Sequence, residues 1–316
     1  MAPDGIPNGI RVLSLASADG RARADIAPEL GGIVSSLTLP GPDGRPRECL
    51  YRHAWFWEPD TPHTRGGIPL LFPICGRLLK NETPGLYHVA GKPFVLPIHG
   101  FAMRWPWTVV AAAPDSLRLR LADSESTRAL YPFAFELELL YAVSPAGFSC
   151  RLTVRNPGNE PLPYAAGFHP YFATPPPGAG KEQTLFAAHS GARSVYNETR
   201  TAVVGSAPPP AFPRSIAGAD INELLLDIGE RGDSRLLFPD GFELRQTASV
   251  LFRHRQFYTL PDEPFFCDEP WMAPAGALNR PGGARILPPG ESESAEIRIA
   301  AARTPSALFS RSVALS

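Results

Sequence analysis

The stretch FAFELELLYAVSPAGFSCRLTVR, residues 133–155, alternates between apolar and polar side chains on both sides of a short turn. Apolar residues occupy every second position of FAFELELL and again of FSCRLTVR, so each half has one apolar and one polar face. This period of two is typical of strands with one buried face. The SPAG segment between the halves fits a tight turn. The stretch therefore predicts an antiparallel β-hairpin.

Similar short alternating runs recur along the chain, separated by clusters of Pro, Gly, Asn and Asp. They lie at 117–121, 241–252 and 295–301. Pro accounts for 37 of the 316 residues, more than twice its usual share, and Pro is costly inside helices. Helical periodicity is confined to two short segments, 221–228 and the tail 306–316. Many short strands with turn residues between them indicate an all-β sandwich or barrel.

The composition excludes several classes of protein. Hydrophobic residues make up 44% of the chain, which excludes the disordered class, and a net charge of −1 gives no reason to expect nucleic acid or a membrane as partner. The four Cys residues are widely spaced, which suits a reduced, cytoplasmic setting. We expect no signal peptide and no transmembrane span. A single domain over 1–316 is the simplest organisation, either as a monomer or as a homodimer.

A histidine among aromatic residues, in YAAGFHPYFA at 164–173, allows two interpretations. A lone His is often a core residue held by one hydrogen bond. Pro170, however, restricts His169 to an extended backbone, on which the imidazole can point into a cleft while the flanking aromatic rings pack elsewhere. In that position His169 would be a general acid.

Three other segments combine Gly or Pro with an ionisable side chain. In the first, Arg77 either binds hydroxyls or a carboxylate or forms a surface salt bridge. In the second, His99 is followed by Phe and Trp residues that fit either a sugar-binding cleft or a plain core. In the third, Asp268 and Glu269 follow an apolar run, where a carboxylate is costly unless it is paired or used.

Metal binding and nucleophilic catalysis fit the sequence poorly. Zinc sites commonly take two ligands from one short segment, whereas 70 residues separate His99 from His169 and 100 separate His169 from Glu269. There is no Gly-x-Ser-x-Gly turn, and no Cys lies beside a His in the sequence. We therefore expect neither a metal nor a cofactor, which leaves acid/base catalysis by side chains.

Five motifs, in this order, resemble those of the aldose 1-epimerase (mutarotase) family. They are GGIPLLFPICGRL (66–78), GKPFVLPIHGFAMRWPW (91–107), GFHPYF (167–172), FCDEPW (266–271) and LPPGESESAEIRIA (287–300). The segment DIAPELGGIVSSLTL (25–39) also resembles the family's opening strands, so the likeness extends over most of the chain. The forms LLFPICGRL and DEPW are nearer to a LacX-like bacterial branch than to galactose mutarotase itself.

The resemblance implies a large antiparallel β-sandwich of the galactose mutarotase type. It also implies a monosaccharide substrate whose α and β anomers are interconverted without a cofactor. Glu269 would match the general base, and His169 would match the acid that protonates the ring oxygen. The residues that would match substrate-binding positions are His99, Arg77 and Asp220, with Asp227 as the alternative to Asp220.

The chemistry suits these residue types, since opening a hemiacetal removes one proton and delivers another, and ring closure reverses both transfers. Two alternatives remain open. A hexose 6-phosphate would need basic residues in the cleft, for which Arg52, Arg65 and Arg104 are candidates. A carbohydrate-binding protein or sensor would keep the cleft without turnover.

Family members often carry Arg two residues after His-Gly-Phe, a position that Met103 holds here.

Overall fold

A computed structural model describes residues 9–58, 65–189 and 191–303. Within them the regular structure is almost entirely β-strand, with one α-helix, α1 (Glu125–Leu130), and one 3₁₀ turn, Ala277–Asn279. The helix is short, and the Ser124 side chain caps its N-terminus.

The strands follow one another at short intervals. The first nine are β1 (Leu13–Ala16), β2 (Arg23–Ala27), β3 (Ile33–Pro40), β4 (Pro46–Glu48), β5 (Leu70–Leu71), β6 (Leu79–Lys80), β7 (Thr83–Pro84), β8 (Leu86–Val89) and β9 (Lys92–Val95). The next nine are β10 (Thr108–Ala113), β11 (Ser116–Ala122), β12 (Glu136–Ser144), β13 (Gly147–Arg155), β14 (Leu162–Tyr164), β15 (Gly167–Phe168), β16 (Tyr171–Ala173), β17 (Leu185–Ala188) and β18 (Ala192–Tyr196). The last nine are β19 (Val203–Ala207), β20 (Arg214–Ser215), β21 (Leu225–Asp227), β22 (Asp233–Leu237), β23 (Phe242–Ala248), β24 (His254–Tyr258), β25 (Phe265–Trp271), β26 (Arg285–Leu287) and β27 (Ser292–Arg303).

The predicted hairpin is present as β12 and β13. Ser144 pairs with Gly147, which leaves a two-residue turn, and the register then runs without a bulge. Leu137, Leu139 and Leu152 are fully buried on the inner face, as the alternation predicts. Burial of each such leucine contributes about 1.5–3 kcal/mol of stability. A one-residue slip of the register would turn all of them to the opposite face of the sheet and so lose these contributions together.

Two large antiparallel sheets form the body of the protein. One has nine strands in the order β10-β11-β12-β13-β27-β23-β22-β17-β20, and the other has the order β19-β18-β21-β24-β25-β15-β5, with β16 also paired to β25. A smaller sheet of β1 to β4 lies at the N-terminal end of the chain. Buried side chains of both large sheets belong to one continuous core cluster. The prediction of a large antiparallel β-sandwich is confirmed.

Strand β25 lies inside the second sheet, and all seven of its residues are buried. It pairs with β24 on one side and with β15 and β16 on the other. Because side chains alternate along a strand, Glu269 and Trp271 share one face of β25, while Asp268 lies on the opposite face. This alternation places the two neighbouring carboxyl groups in different environments.

The helix predicted at 221–228 is wrong. That segment is a turn followed by β21, in which Leu225 pairs with Gln256 of β24. Leu224, Leu225 and Leu226 are all buried, as in a strand that is covered on both faces. Tertiary burial therefore outweighs local helical periodicity here. The tail 306–316 lies outside the described residues.

The described helices offer no membrane span, since none is both long enough and apolar enough to cross a bilayer.

Candidate active site

A cleft of about 220 Å³ opens over the second large sheet. It is smaller than the pockets that hold drug-sized ligands, so it suits a small ligand. The side chains that matter below are among its lining residues, which are Arg65, Pro69, Gly76, Arg77, Ile98, His99, Met103, Arg104, His169, Tyr171, Tyr196, Arg200, Glu223, Gln256, Tyr258, Glu269, Trp271 and Ala275. Four of the five predicted site residues, namely His99, Arg77, His169 and Glu269, therefore lie together.

The two predicted acid/base residues are in contact. The Nε2 atom of His169 lies 3.3 Å from Oε1 of Glu269, and both side chains are buried. The His169 ring stacks on Tyr171, with centroids 4.5 Å apart and an interplanar angle of 3°. Trp271 donates its Nε1–H to Oε2 of Glu269 at 3.0 Å. Stacking and hydrogen bonding thus fix both members of the pair.

Close backbone packing brings His169 to this place. The His169 N–H donates to the Pro69 carbonyl at 3.0 Å, just before Pro170 ends the short pairing of β15. Gly167 lies against β25, where an added Cβ would be 2.8 Å from Cδ1 of Trp271. A residue larger than Gly would therefore push the His169 segment away from Trp271.

Burial disfavours charge on both members of the pair. It lowers the pKa of His169 to about 3. It also raises the pKa of Glu269 well above its usual range, helped by the charges of Glu223 and Asp268 and opposed by the hydrogen bond from Trp271. The pair consequently holds one proton between the lowered His169 pKa and the raised Glu269 pKa.

His99 has a left-handed backbone, with φ of +64°, which is uncommon for a residue other than Gly. Two bonds to Gly76 hold it there. The His99 N–H donates to the Gly76 carbonyl at 2.8 Å, and the Gly76 N–H donates to Nδ1 of His99 at 3.1 Å. Because Nδ1 accepts, the neutral imidazole carries its proton on Nε2 and acts as a donor through that atom.

Asp220 does not line the cleft. It is exposed and forms an ion pair with Arg214. The alternative residue, Asp227, is also exposed, and its carboxylate accepts a hydrogen bond from the Gly229 N–H at 3.0 Å. The sequence-based choice between these two is therefore not supported by the geometry.

The acidic residue that lines the cleft in this part of the chain is Glu223, three positions after Asp220. Its backbone is left-handed, with φ of +59°, and its carboxylate lies 3.0 Å from Nη1 of Arg200. A search for any carboxylate between His169 and Glu269, rather than for Asp alone, would have included it. The turn that directs Glu223 into the cleft has no equally simple sequence signal.

The aromatic residues after His99 belong to the core. Phe101 and Trp107 are buried in the main core cluster, and Trp105 packs against it. The aromatic residues that line the cleft are instead Tyr171, Tyr196, Tyr258 and Trp271. The plain-core interpretation of the sequence is thus the correct one for Phe101, Trp105 and Trp107.

Three buried side chains around Glu269 bring potential metal-ligand atoms close together. The ligand atoms of His169, Cys267 and Glu269 lie within 4.8 Å of one another. Ligation would require both acids to lose their protons, yet burial raises the pKa of the Cys267 thiol and of the Glu269 carboxyl well above their usual ranges.

The fold and cleft define a class of protein: an antiparallel β-sandwich with a buried carboxyl–imidazole pair at the floor of a cleft of about 220 Å³. Within this class, the chain belongs to the aldose 1-epimerase family, whose sequence profile matches residues 14–216. The match ends before β25, so the position of Glu269 rests on the structure and on the FCDEPW motif.

The chain is similar to several other proteins. It is 28% identical to the chromosomal protein LacX of Lactococcus lactis subsp. lactis over 125 residues, which span 38% of this chain and 41% of LacX. The structure of Slr1438 from Synechocystis sp. PCC 6803 superposes with a TM-score of 0.81 at 26% identity, over 94% of this chain and 98% of that one. A galactose mutarotase related enzyme from Lactobacillus acidophilus has the same fold, with a TM-score of 0.78 at 22% identity, over 94% and 99% of the two chains.

Proposed function

We propose that this protein is an aldose 1-epimerase that interconverts the α and β anomers of a hexose by acid/base catalysis. The observation that carries the proposal is the buried contact of 3.3 Å between His169 and Glu269 at the floor of the cleft. Family membership supports the same activity.

Proton transfer within the pair produces the reactive form. Moving the shared proton from Glu269 to His169 gives a carboxylate and an imidazolium, with no proton taken from solvent. The Glu269 carboxylate then removes the proton of the anomeric hydroxyl while the His169 imidazolium protonates the ring oxygen. The bond between the anomeric carbon and the ring oxygen breaks, and an open-chain aldehyde forms.

Ring closure reverses the two transfers. Rotation about the bond between the first two sugar carbons presents the other face of the aldehyde to the hydroxyl. His169 removes the hydroxyl proton as the ring closes, and Glu269 returns a proton to the anomeric oxygen. Three other cleft residues hold the sugar hydroxyls while the ring is open. The donors are Arg77 and His99, and the acceptor is Glu223.

Exchange spectroscopy tests the proposal without requiring any net reaction. NMR would measure the exchange rate between the two anomers of glucose, galactose and several pentoses, with and without the protein. We expect acceleration for at least one aldose. If neither these free aldoses nor glucose and galactose 6-phosphates are accelerated, the proposed activity is wrong, and binding of the same sugars then tests the alternative of a carbohydrate-binding protein or sensor.

A phosphorylated hexose is a second candidate substrate, because basic residues dominate the cleft. Arg65, Arg77, Arg104 and Arg200 line it, and the acidic groups that line it are Glu223 and Glu269. Of these two, Glu269 is held in its neutral form by burial. An excess of positive charge favours an anionic sugar.

Of the candidates proposed from the sequence for a phosphate, Arg65 and Arg104 line the cleft, whereas Arg52 does not and lies over the Trp57 ring, 6.0 Å from its centroid. Competition by inorganic phosphate distinguishes the two substrates. Phosphate at millimolar concentration would inhibit an enzyme that recognises a phosphorylated sugar, and it would leave an enzyme for free sugars unaffected.

A further inference from the structure

A buried polar network lies on the opposite face of β25 from the cleft. Asp268 forms an ion pair with Arg255, and its Oδ2 accepts hydrogen bonds from Ser234 Oγ at 2.6 Å and from Gln246 Nε2 at 2.9 Å. Arg255 also donates to Ser234 Oγ at 2.7 Å and to the Gly232 carbonyl at 2.8 Å. Arg255 is fully buried and Asp268 is 2% exposed, so this ion pair is shielded from bulk solvent.

The network joins the two large sheets. Ser234 lies on β22 and Gln246 on β23, both in the nine-stranded sheet, whereas Arg255 lies on β24 and Asp268 on β25. Gln246 Nε2 also donates to the Asp268 backbone carbonyl at 2.9 Å. The backbone of β25 is therefore tied to the nine-stranded sheet, here called the rear sheet, one residue before Glu269.

The network is next to cleft residues on both strands. Asp268 precedes Glu269, and Arg255 precedes Gln256, which pairs directly with Glu269 across β24 and β25. Gln256 lines the cleft and accepts a hydrogen bond from the Tyr196 hydroxyl at 3.1 Å. A shift of the network would therefore move the backbone of Glu269 and of Gln256, its partner on β24.

Stability alone gives little reason to bury this ion pair. Two charges lose their hydration on burial, and apolar replacement of a buried ion pair is often neutral or stabilising. Hydrogen bonds and ion pairs, in contrast, are directional, so they fix the register of a strand and its distance from the facing sheet more strictly than apolar packing does.

We propose that Asp268 and Arg255 are positioning residues for the acid/base pair: the network fixes β25 against the rear sheet and thereby holds the Glu269 carboxyl within reach of His169. This inference rests on the proposed function, since it concerns the same pair. It assigns a role to the second carboxyl of the FCDEPW motif, which does not face the cleft.

Paired substitutions separate positioning from stability. Asp268→Asn leaves Arg255 buried without its counter-charge, and we expect the unfolding temperature to fall by more than about 5 °C. The double variant Arg255→Met with Asp268→Leu removes both charges, and we expect its unfolding temperature to lie within about 5 °C of the wild type. Its kcat should nevertheless fall about 10- to 100-fold, with KM changed less than about threefold.

Full kcat in a stable double variant would overturn the inference. If the double variant does not fold, the kcat of Ser234→Ala provides the test. This substitution removes a hydrogen bond to Asp268 but leaves the ion pair between Asp268 and Arg255 in place. We expect a lower kcat at unchanged KM for that variant, whereas wild-type kcat would overturn the inference. Glu293→Gln is the matched control, since Glu293 pairs with Arg285 away from the cleft and should keep full kcat.

The failure of the proposed function is recognisable separately. If the wild type accelerates no sugar, the NMR signals of the His169 ring, assigned by comparison with His169→Asn, replace kcat as the readout. The network variants should then shift those signals as Glu269→Gln does, because they move the carboxyl that contacts Nε2. Unchanged His169 signals would overturn the inference in that case.

Discussion

The imidazole of His169 and the carboxyl of Glu269 face each other across 3.3 Å, both buried and both favoured in their neutral forms. The proton count of this pair is the same for the neutral form and for the form with carboxylate and imidazolium. In the proposed mechanism, catalysis therefore needs only a proton shift inside the pair, which a bound sugar would induce by supplying hydrogen bonds to both charges.

The first prediction concerns the dependence of kcat/KM on pH. A second proton binds the pair only as pH falls towards the lowered His169 pKa of about 3, and the shared proton leaves only as pH rises to the raised Glu269 pKa. We therefore expect kcat/KM, after subtraction of the exchange without protein, to stay constant as pH falls through 4.5, the ordinary value for Glu. A loss of activity on acidification that is centred near pH 4.5 would contradict the account.

The second prediction is that Glu269→Gln stabilises the protein above pH 5. A raised pKa in the folded state means that stability is lost as pH rises above the unfolded value of 4.5, and Gln removes this loss. We expect a gain of about 1 kcal/mol in the free energy of unfolding at pH 8 and a smaller gain at pH 5, measured by urea unfolding.

Glu293→Gln is the control for this stability measurement. Although burial opposes it, hydrogen bonds from Arg285 and Tyr164 lower the pKa of Glu293, so its charge stabilises the fold above the unfolded pKa. We expect this variant to lose stability at pH 8. If both variants lose the same free energy of unfolding at pH 8, burial does not destabilise the charged form of Glu269.

The third prediction separates Glu223 from Asp220. Glu223 lines the cleft and its charge raises the pKa of Glu269, whereas Asp220 is exposed and paired with Arg214. In Glu223→Gln we expect KM to rise about tenfold, because the sugar loses a charged hydrogen-bond acceptor. We also expect the alkaline limit of kcat/KM to move to lower pH, because the Glu223 charge no longer raises the pKa of Glu269. Asp220→Asn should match the wild type in both measurements, and the reverse result would restore Asp220 as a substrate-binding residue.

The fourth prediction concerns the glycine after His99. Gly100 and Gly91 have similar left-handed backbones, with φ of +74° and +79°, but a Cβ on Gly100 would lie 2.1 Å from the Phe72 carbonyl oxygen, whereas one on Gly91 meets nothing within 4 Å. Gly91→Ala should cost about 1–2 kcal/mol of stability, the strain of that conformation alone. Gly100→Ala should cost clearly more and raise KM, since it displaces His99. Thermal unfolding of the two variants makes the comparison.

Local sequence patterns predicted those features that depend on neighbours along the chain. The alternation around residues 133–155 determines which side chains face the core, and it gave the correct hairpin. His169 and Glu269 were predicted as site residues because each lies beside a Pro in a recognisable motif, and both line the cleft. In contrast, the segment at 221–228 looked helical because its apolar residues cluster, although Leu225 and Leu226 are buried on the two faces of a short strand.

Features that depend on distant pairing could not be predicted in this way. Glu223 enters the cleft through a left-handed turn, and Arg255 meets Asp268 only because β24 and β25 pair over the rear sheet. The cleft aromatic residue Tyr196 comes from a segment without any recognised motif. Each of these positions depends on a turn or on the register between strands, which the sequence of one strand does not contain.

The rate of anomer exchange in wild type and Glu269→Gln tests the central claim most directly. The substitution keeps the size of the side chain and the acceptor for Trp271, but it removes the group that exchanges protons with His169 and the sugar. We predict that the wild-type protein accelerates exchange of at least one aldose or sugar phosphate and that Glu269→Gln lowers this acceleration by at least about 100-fold, while Glu293→Gln retains it. Equal acceleration by the wild type and Glu269→Gln would contradict the claim that this pair performs the reaction.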